Sequence, residues 1–218
     1  MKNLITLAKT LFKPLAVVKY LCFPFMMAQA QGAVDFKAIT GGEKVTAQVE
    51  VENTVWMATT NGIYQVNKTN GKTTHLTTQN SVLPSNNVTG ICATPNGNVY
   101  AATANGIFRF DGTAFMVIST ENAKLPTNNF TAIACDENGR LFMGTQNSGL
   151  VMMEGYRTQV FNKNNSDLTS NSIKTVYQDE NGLIIAELSN GYFVAMGSST
   201  MVLIPNQTPD LNATAKGY

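Results

Sequence analysis

Asn96-Gly97-Asn98-Val99-Tyr100-Ala101-Ala102-Thr103-Ala104-Asn105-Gly106-Ile107-Phe108 is the stretch on which the fold turns. It holds two short runs of β-forming residues, each preceded by Asn-Gly, the dipeptide that best tolerates positive φ at a hairpin turn. Its first half recurs as Asn138-Gly139-Arg140-Leu141-Phe142 and Asn181-Gly182-Leu183-Ile184-Ile185, at spacings of 42 and 43 residues. Thr54-Val55-Trp56 fills the same slot, with Trp56 44 residues before Tyr100. The second half is answered by Asn61-Gly62-Ile63-Tyr64, Ser148-Gly149-Leu150-Val151 and Asn190-Gly191-Tyr192-Phe193. Leu83-Pro84-Ser85-Asn86-Asn87, Leu125-Pro126-Thr127-Asn128-Asn129 and Leu168-Thr169-Ser170-Asn171-Ser172 join one period to the next.

Each period contains four strand-like runs, which in the second period are Val88–Thr94, Asn98–Thr103, Gly106–Asp111 and Ala114–Thr120. No window after the first thirty residues sustains a helical period. Four antiparallel strands every 42–44 residues make one blade of a β-propeller. The expected fold is all-β: about four four-stranded antiparallel blades at 45–79, 88–120, 130–162 and 173–204, in an incomplete or open ring. A β-sandwich, the alternative, has turns at similar intervals but no such period. In the second strand of a blade a large aromatic precedes a small residue by two positions, as in Trp56/Ala58, Tyr100/Ala102 and Phe142/Gly144. Both members of a pair point to one face, where neighbouring blades crowd together. Trp56 and its counterparts are therefore core residues.

The pattern Asn-Gly-x-[Leu/Val]-aromatic-x-[Gly/Ala]-Thr, then Asn-Gly-Ile-x-aromatic, then Leu-Pro-x-Asn resembles the two-component regulator propeller repeat. The resemblance covers about residues 45–195. It implies a propeller of the kind found in periplasmic sensors of hybrid histidine kinases in Bacteroidetes-type bacteria, associated with glycan sensing, or in secreted and surface proteins. No transmembrane segment, immunoglobulin-like module or kinase is recognisable in these 218 residues, so binding rather than signalling output is expected of them.

Composition narrows the function. Lys and Arg number 15, Asp and Glu 14, and the net charge of +1 gives no electrostatic footing for nucleic acid or an anionic membrane surface. Residues 1–30 read as a signal peptide. Lys2, Lys9, Lys13 and Lys19 precede the apolar run Tyr20–Ala28, no acid occurs before Asp35, and Ala28-Gln29-Ala30 is a small-x-small cleavage site. The alternative is an amphipathic N-terminal helix. Cys22 follows Lys19-Tyr20-Leu21, which lacks the small residue of a lipobox, so no lipid anchor is expected. Removing four lysines and no acid leaves 11 bases and 14 acids, a charge of −3. An exported location, periplasmic, secreted or at the cell surface, follows, and residues 205–218 read as a polar tail.

Two features bear on closure. Residues 34–40 look like an extra N-terminal strand that would pair with the last blade, yet Met201-Val202-Leu203-Ile204 already supplies that blade's outer strand, so the excess points either to a fifth strand or to a fragment of a longer propeller. Glu187 occupies the slot of Ala58, Ala102 and Gly144. A carboxylate pressed between blades costs several kcal/mol unless paired. Either Glu187 is a channel-wall acid that contacts ligand, or blade four has no neighbour and faces water. The second reading leaves a blade face for self-association.

The chemistry-bearing residues are few. His75, the one histidine, sits on an outer strand with no partner for metal or catalysis. Cys92 and Cys135 fall one residue out of phase on innermost strands. Sheets pack about 10 Å apart while a disulfide needs Cα atoms within about 7 Å. Buried free thiols are expected, unless the strands converge near the axis. Asp136-Glu137 and Asp179-Glu180 precede turn glycines and read as solvated hairpin turns. No metal or cofactor is expected. The loops joining strands two and three, and those joining blades, are rich in uncharged hydrogen-bonding groups. Asn61, Asn86, Asn87, Asn105, Asn128, Asn129, Gln146 and Asn147, with Glu187, are the candidate ligand contacts. A non-enzymatic module binding a glycan or a protein partner is the expectation. A polysaccharide-acting propeller enzyme and a structural part of a secretion or cell-surface assembly are its rivals.

Overall fold

The computed structural model describes residues 36–179, 181–197 and 201–204. The leader expected over 1–30, the polar tail over 205–218 and Glu180 lie outside the described residues. The chain folds into four four-stranded antiparallel sheets, each built from consecutive strands in sequence order. Blade one is β1 (Val45–Val51), β2 (Thr54–Thr59), β3 (Gly62–Asn67) and β4 (Thr73–Leu76). Blade two is β5 (Val88–Ala93), β6 (Val99–Thr103), β7 (Gly106–Phe110) and β8 (Phe115–Ile118). Blade three is β9 (Phe130–Cys135), β10 (Leu141–Thr145), β11 (Leu150–Glu154) and β12 (Arg157–Phe161). Blade four is β13 (Ile173–Gln178), β14 (Ile184–Leu188), β15 (Phe193–Met196) and β16 (Met201–Ile204). The expected blades are present.

The sheets stack face to face. β1 packs on β5, β5 on β9 and β9 on β13. A separate apolar cluster fills each gap. Trp56, Ala58 and Phe108 meet Val88 and Ala101 between blades one and two, Ala102 and Phe130 meet Met143 between two and three, and Phe142 meets Ile173 and Ala186 between three and four. Phe108, Phe130 and Phe142 are fully buried, each contributing about 1.5–3 kcal/mol of transfer free energy.

A repeated device locks each sheet to the next. Every innermost strand carries a β-bulge at one register, falling at Thr46, Thr89, Thr131 and Lys174. A bulge re-aims the side chain it carries. Thr46 Oγ1 donates to the Val88 carbonyl of blade two at 3.0 Å, Thr89 to Phe130 of blade three at 2.9 Å, and Thr131 to Ile173 of blade four at 2.7 Å. Beside each bulge lies the small-residue slot. A Cβ on Gly144 would stand 2.8 Å from Ile173 Cγ2 and 2.9 Å from Thr131 Oγ1, so even alanine is too large there.

Blade four breaks the series. Its bulge residue is Lys174, and its slot residue is Glu187. Lys174 Nζ donates to Glu187 Oε1 at 2.6 Å, with side-chain exposures of 67% and 22%. No blade follows to receive a threonine bridge among the described residues, and the ion pair stands in its place. Glu187 therefore faces outward from the last sheet, as the water-facing reading required, in an open or incomplete propeller.

Two expectations are corrected. Residues 36–39 form not a strand but one helical turn, α1 (Phe36–Ile39). Gly41 and Gly42 have φ of 63° and 88°, and Gly42 N–H donates to the Lys37 carbonyl at 3.0 Å, a glycine stop that ends a helix. Ile39 packs with Val45 on Val55, Met57, Tyr64 and Val66, covering the outward face of blade one. Cys92 and Cys135, expected as free thiols, form a disulfide with Cα atoms 5.8 Å apart. Innermost strands approach closely because their facing residues are small. A Cβ on Gly90 of β5 would lie 3.3 Å from the Ile133 nitrogen of β9, so the spacing of ordinary face-packed sheets does not apply there.

Candidate functional site

The loops divide between two ends of the stack. Loops joining strands two and three, and those joining blades, carry the residues singled out from the sequence. Here the structure separates two kinds of asparagine. Asn86 Oδ1 accepts from Thr78 N and Asn128 Oδ1 from Thr120 N, both at 2.8 Å, and Asn171 repeats the bond to Lys163 N. These side chains fasten the connection between blades. Asn61 is likewise engaged, donating to Glu43 Oε1 at 2.8 Å, and Asn105 reaches the Pro84 carbonyl at 3.4 Å. The side chains of Asn87, Asn129, Gln146 and Asn147 are exposed and make no hydrogen bond among the described residues. Their backbones are held: Asn87 N donates to Ser85 Oγ at 3.2 Å and Asn129 N to Thr127 Oγ1 at 3.0 Å.

Buried threonines shape the same loops. Thr103 Oγ1 donates to the Gly106 carbonyl at 2.8 Å and accepts from Asn105 N at 3.1 Å, and Thr59 and Thr145 repeat the arrangement. Gly106 is required there, since its φ is 122° and an added Cβ would meet the Ile118 carbonyl at 2.9 Å. His75 stacks on Tyr64 with centroids 4.0 Å apart, and its Nε2 lies 2.9 Å from the Asn61 carbonyl. Burial, then Glu43, raises the Tyr64 pKa above 10.0.

Cavities open among the described residues toward the other end, where hairpins join strands one to two and three to four. One of about 570 Å³ opens where the innermost strands finish and is bounded by Glu50, Glu52, Asp136, Glu137, Cys135 and Gln178. Its acids are partly engaged. Glu50 pairs with Lys68 at 2.6 Å, and Asp136 with Arg140 at 2.6 Å. Asp136 is 4% exposed, buried rather than solvated, because its Oδ1 also accepts from Asn138 N and Arg140 N. A second cavity of about 510 Å³ lies between blades one and two. A third, of about 560 Å³, runs between blades two and three past Tyr100, Arg109, Met116 and Tyr156. The sequence reading missed this groove, since its walls come from residues far apart in the chain. One signal was available: Gly155-Tyr156, a large aromatic in a tight turn.

Among the described residues no helix is long and apolar enough to cross a membrane. No protein of curated function is detectably similar in sequence. Solved structures share the fold. The extracellular domain of a hybrid two-component system from B. thetaiotaomicron is 20% identical with a TM-score of 0.57, over 72% of this chain and 23% of that one. A catalytically inactive virginiamycin B lyase from Staphylococcus aureus is 17% identical with a TM-score of 0.59, over 77% of this chain and 57% of that one. PorZ, a surface component of the type-IX secretion system of Porphyromonas gingivalis, is 16% identical with a TM-score of 0.50, over 68% and 25%. The chain thus spans about a quarter of that extracellular domain and of PorZ, and rather more than half of the lyase. The two component regulator propeller model matches residues 82–105 and 124–147, each a blade-to-blade connection followed by the first two strands of a blade. Residues 82–105 and 124–147 thus match two-component regulator propeller repeats, and the rest of the chain shares the blade fold.

Proposed function

We propose that this chain is an exported, non-enzymatic binding module whose loop-rich end recognises a glycan or a protein partner. The observation that carries the reading is the division of labour among the asparagines. Asn86 and Asn128 hold the loops still, while Asn87, Asn129, Gln146 and Asn147 present unengaged amides. Preorganised donors and acceptors bind sugar hydroxyls or peptide backbone at low ordering cost. The Cys92–Cys135 disulfide supports an oxidising, exported location. A non-enzymatic role is supported by the engagement of the candidate acids and base. Glu187 is paired with Lys174, Asp136 with Arg140, and His75 stacks on Tyr64. The structural-assembly reading draws support from the outward face of blade four, where Val202 is 41% exposed on the same face as Glu187. A second copy would cover it.

Glycan-array and calorimetric screening of the exported chain tests the proposal. A binder weakened by Asn129→Ala together with Gln146→Ala is the expected result. Turnover of a glycan, lost on Glu187→Gln, would overturn the non-enzymatic reading. A concentration-dependent dimer in sedimentation, with no ligand found, would favour the assembly role.

A further inference from the structure

We propose that the groove between blades two and three, running from the hairpin end along the outer strands to Asn122 and Ala123, binds a carboxylate-bearing sugar ring. Tyr100, Arg109 and Met116 stand side by side on β6, β7 and β8, since Tyr100 pairs with Arg109 and Arg109 with Met116 in register. They form one wall. Tyr156, in the turn between β11 and β12, forms the far lip and is 87% exposed, an unusual position for a large aromatic ring.

Arg109 is the centre of the argument. Its guanidinium carbon lies 5.9 Å from the Tyr100 ring centroid, and one terminal nitrogen lies 3.1 Å from Met116 Sδ. It makes no ion pair among the described residues, and its Nε is shielded from water with no hydrogen-bond partner. Asp111 acts on it through space but forms no ion pair with it. Asp111 accepts from Thr113 N, Thr113 Oγ1 and Ala114 N within its own turn, and Glu137 sits on the opposite wall. A cation held between an aromatic face and a sulfur, with its strongest acceptors missing, is completed by a carboxylate, which a guanidinium takes in a forked pair.

The rest of the groove selects the body of that ligand. The exposed face of Tyr156 offers a stacking surface for the apolar face of a six-membered ring. Asn98 and Asn138 line the cavity with side-chain amides that make no hydrogen bond among the described residues. Amides beside a ring-stacking face match hydroxyls, which an aromatic acid lacks. The volume of about 560 Å³ lies within the roughly 300–1,000 Å³ usual for small-ligand sites. A hexuronate, alone or within a short oligosaccharide, meets all three demands.

The test is calorimetric titration of the exported chain with a glucuronate-containing disaccharide, its carboxyl-reduced neutral counterpart and benzoate. The expected result is saturable binding of the uronate, weakened about tenfold or more by Arg109→Lys, which keeps the charge but loses the fork. Tyr156→Ala, in an exposed turn and harmless to folding, should weaken it about three- to tenfold. Asn129→Ala should leave it unchanged, which separates this site from the loop-end reading. Absence of uronate binding, equal binding of the neutral sugar, or insensitivity to both Arg109→Lys and Tyr156→Ala would overturn the proposal. Benzoate binding as tightly as the uronate would overturn the sugar assignment.

Discussion

The face that blade three turns toward blade four and the face that blade four turns outward share a backbone and differ in two side chains at one register. On blade three the bulge holds Thr131, which reaches across to the Ile173 carbonyl, and the slot beside it holds Gly144. On blade four the same positions hold Lys174 and Glu187, which pair with each other and with no other side chain among the described residues. The interior face of blade three has no room for a methyl group at its slot, and those of blades one and two hold only alanine there, whereas the outward face of blade four accommodates a carboxylate and an ammonium. Within the described residues, the stacked faces carry a threonine bridge beside a small slot, and the outward face of blade four carries an ion pair at the same two positions.

The comparison can be broken by exchanging the two slots. Gly144→Glu should destabilise the protein by about 3–5 kcal/mol in denaturant unfolding, since it combines overpacking with a buried unpaired charge. Glu187→Gly should change stability by less than about 1 kcal/mol, because the lost pair is partly exposed. If both variants cost the same, the two faces are not in different environments.

A second expected effect concerns the tie between blades two and three. Reduction of the Cys92–Cys135 bond, or the paired Cys92→Ser and Cys135→Ser substitutions, should cost about 2–4 kcal/mol. A smaller effect should come from Thr131→Val, which keeps the shape and removes the donor to Ile173. About 1 kcal/mol is expected, or somewhat more because the carbonyl loses a partner. Lys174→Met at the matching bulge should cost less than Thr131→Val, and the difference between the two sharpens the contrast.

The smallest effect is electrostatic. Hydrogen bonds from Ala114 and Thr113 hold the Asp111 carboxyl at about 2, below its ordinary 3.8. A depressed carboxyl stabilises the folded state above the unfolded value, and the contribution is lost as pH falls from about 4 toward 2. Asp111→Asn should remove that portion of the acid dependence, measured as the difference in thermal midpoint between pH 6 and pH 2. Tyr64 acts in the opposite sense, its stabilising share being present below pH 10.0 and fading above it.

The blade architecture was legible because its signals are local and repeated: Asn-Gly turns, the aromatic-then-small pair, and Leu-Pro before each new blade. Glu187 could be read as out of place because three other repeats defined its slot. Thr46, Thr89 and Thr131 recur at 43 and 42 residues, a signal for the inter-blade bridges visible in the sequence but silent until the bulges show where the hydroxyls point. The disulfide was obscured for a physical reason. Two cysteines one residue out of phase were judged by the separation of ordinary packed sheets, whereas Gly90 lets β5 approach β9 closely. The turn of helix at 36–39 depends on Gly41 and Gly42 lying in the left-handed region, which an alternation of side chains does not reveal. The groove beside Arg109 joins Tyr100 to Tyr156 through space alone.

Thiol labelling at the shared slot tests the central claim most directly. Ala102→Cys lies under blade three, whereas Glu187→Cys lies on the last face, and modified peptides can be identified by mass spectrometry of the folded protein. The account predicts that Cys at 187 reacts readily under native conditions, while Cys at 102 reacts only when the protein unfolds. Equal protection of both would contradict the account, since the face that carries position 187 would then be covered like the interior ones.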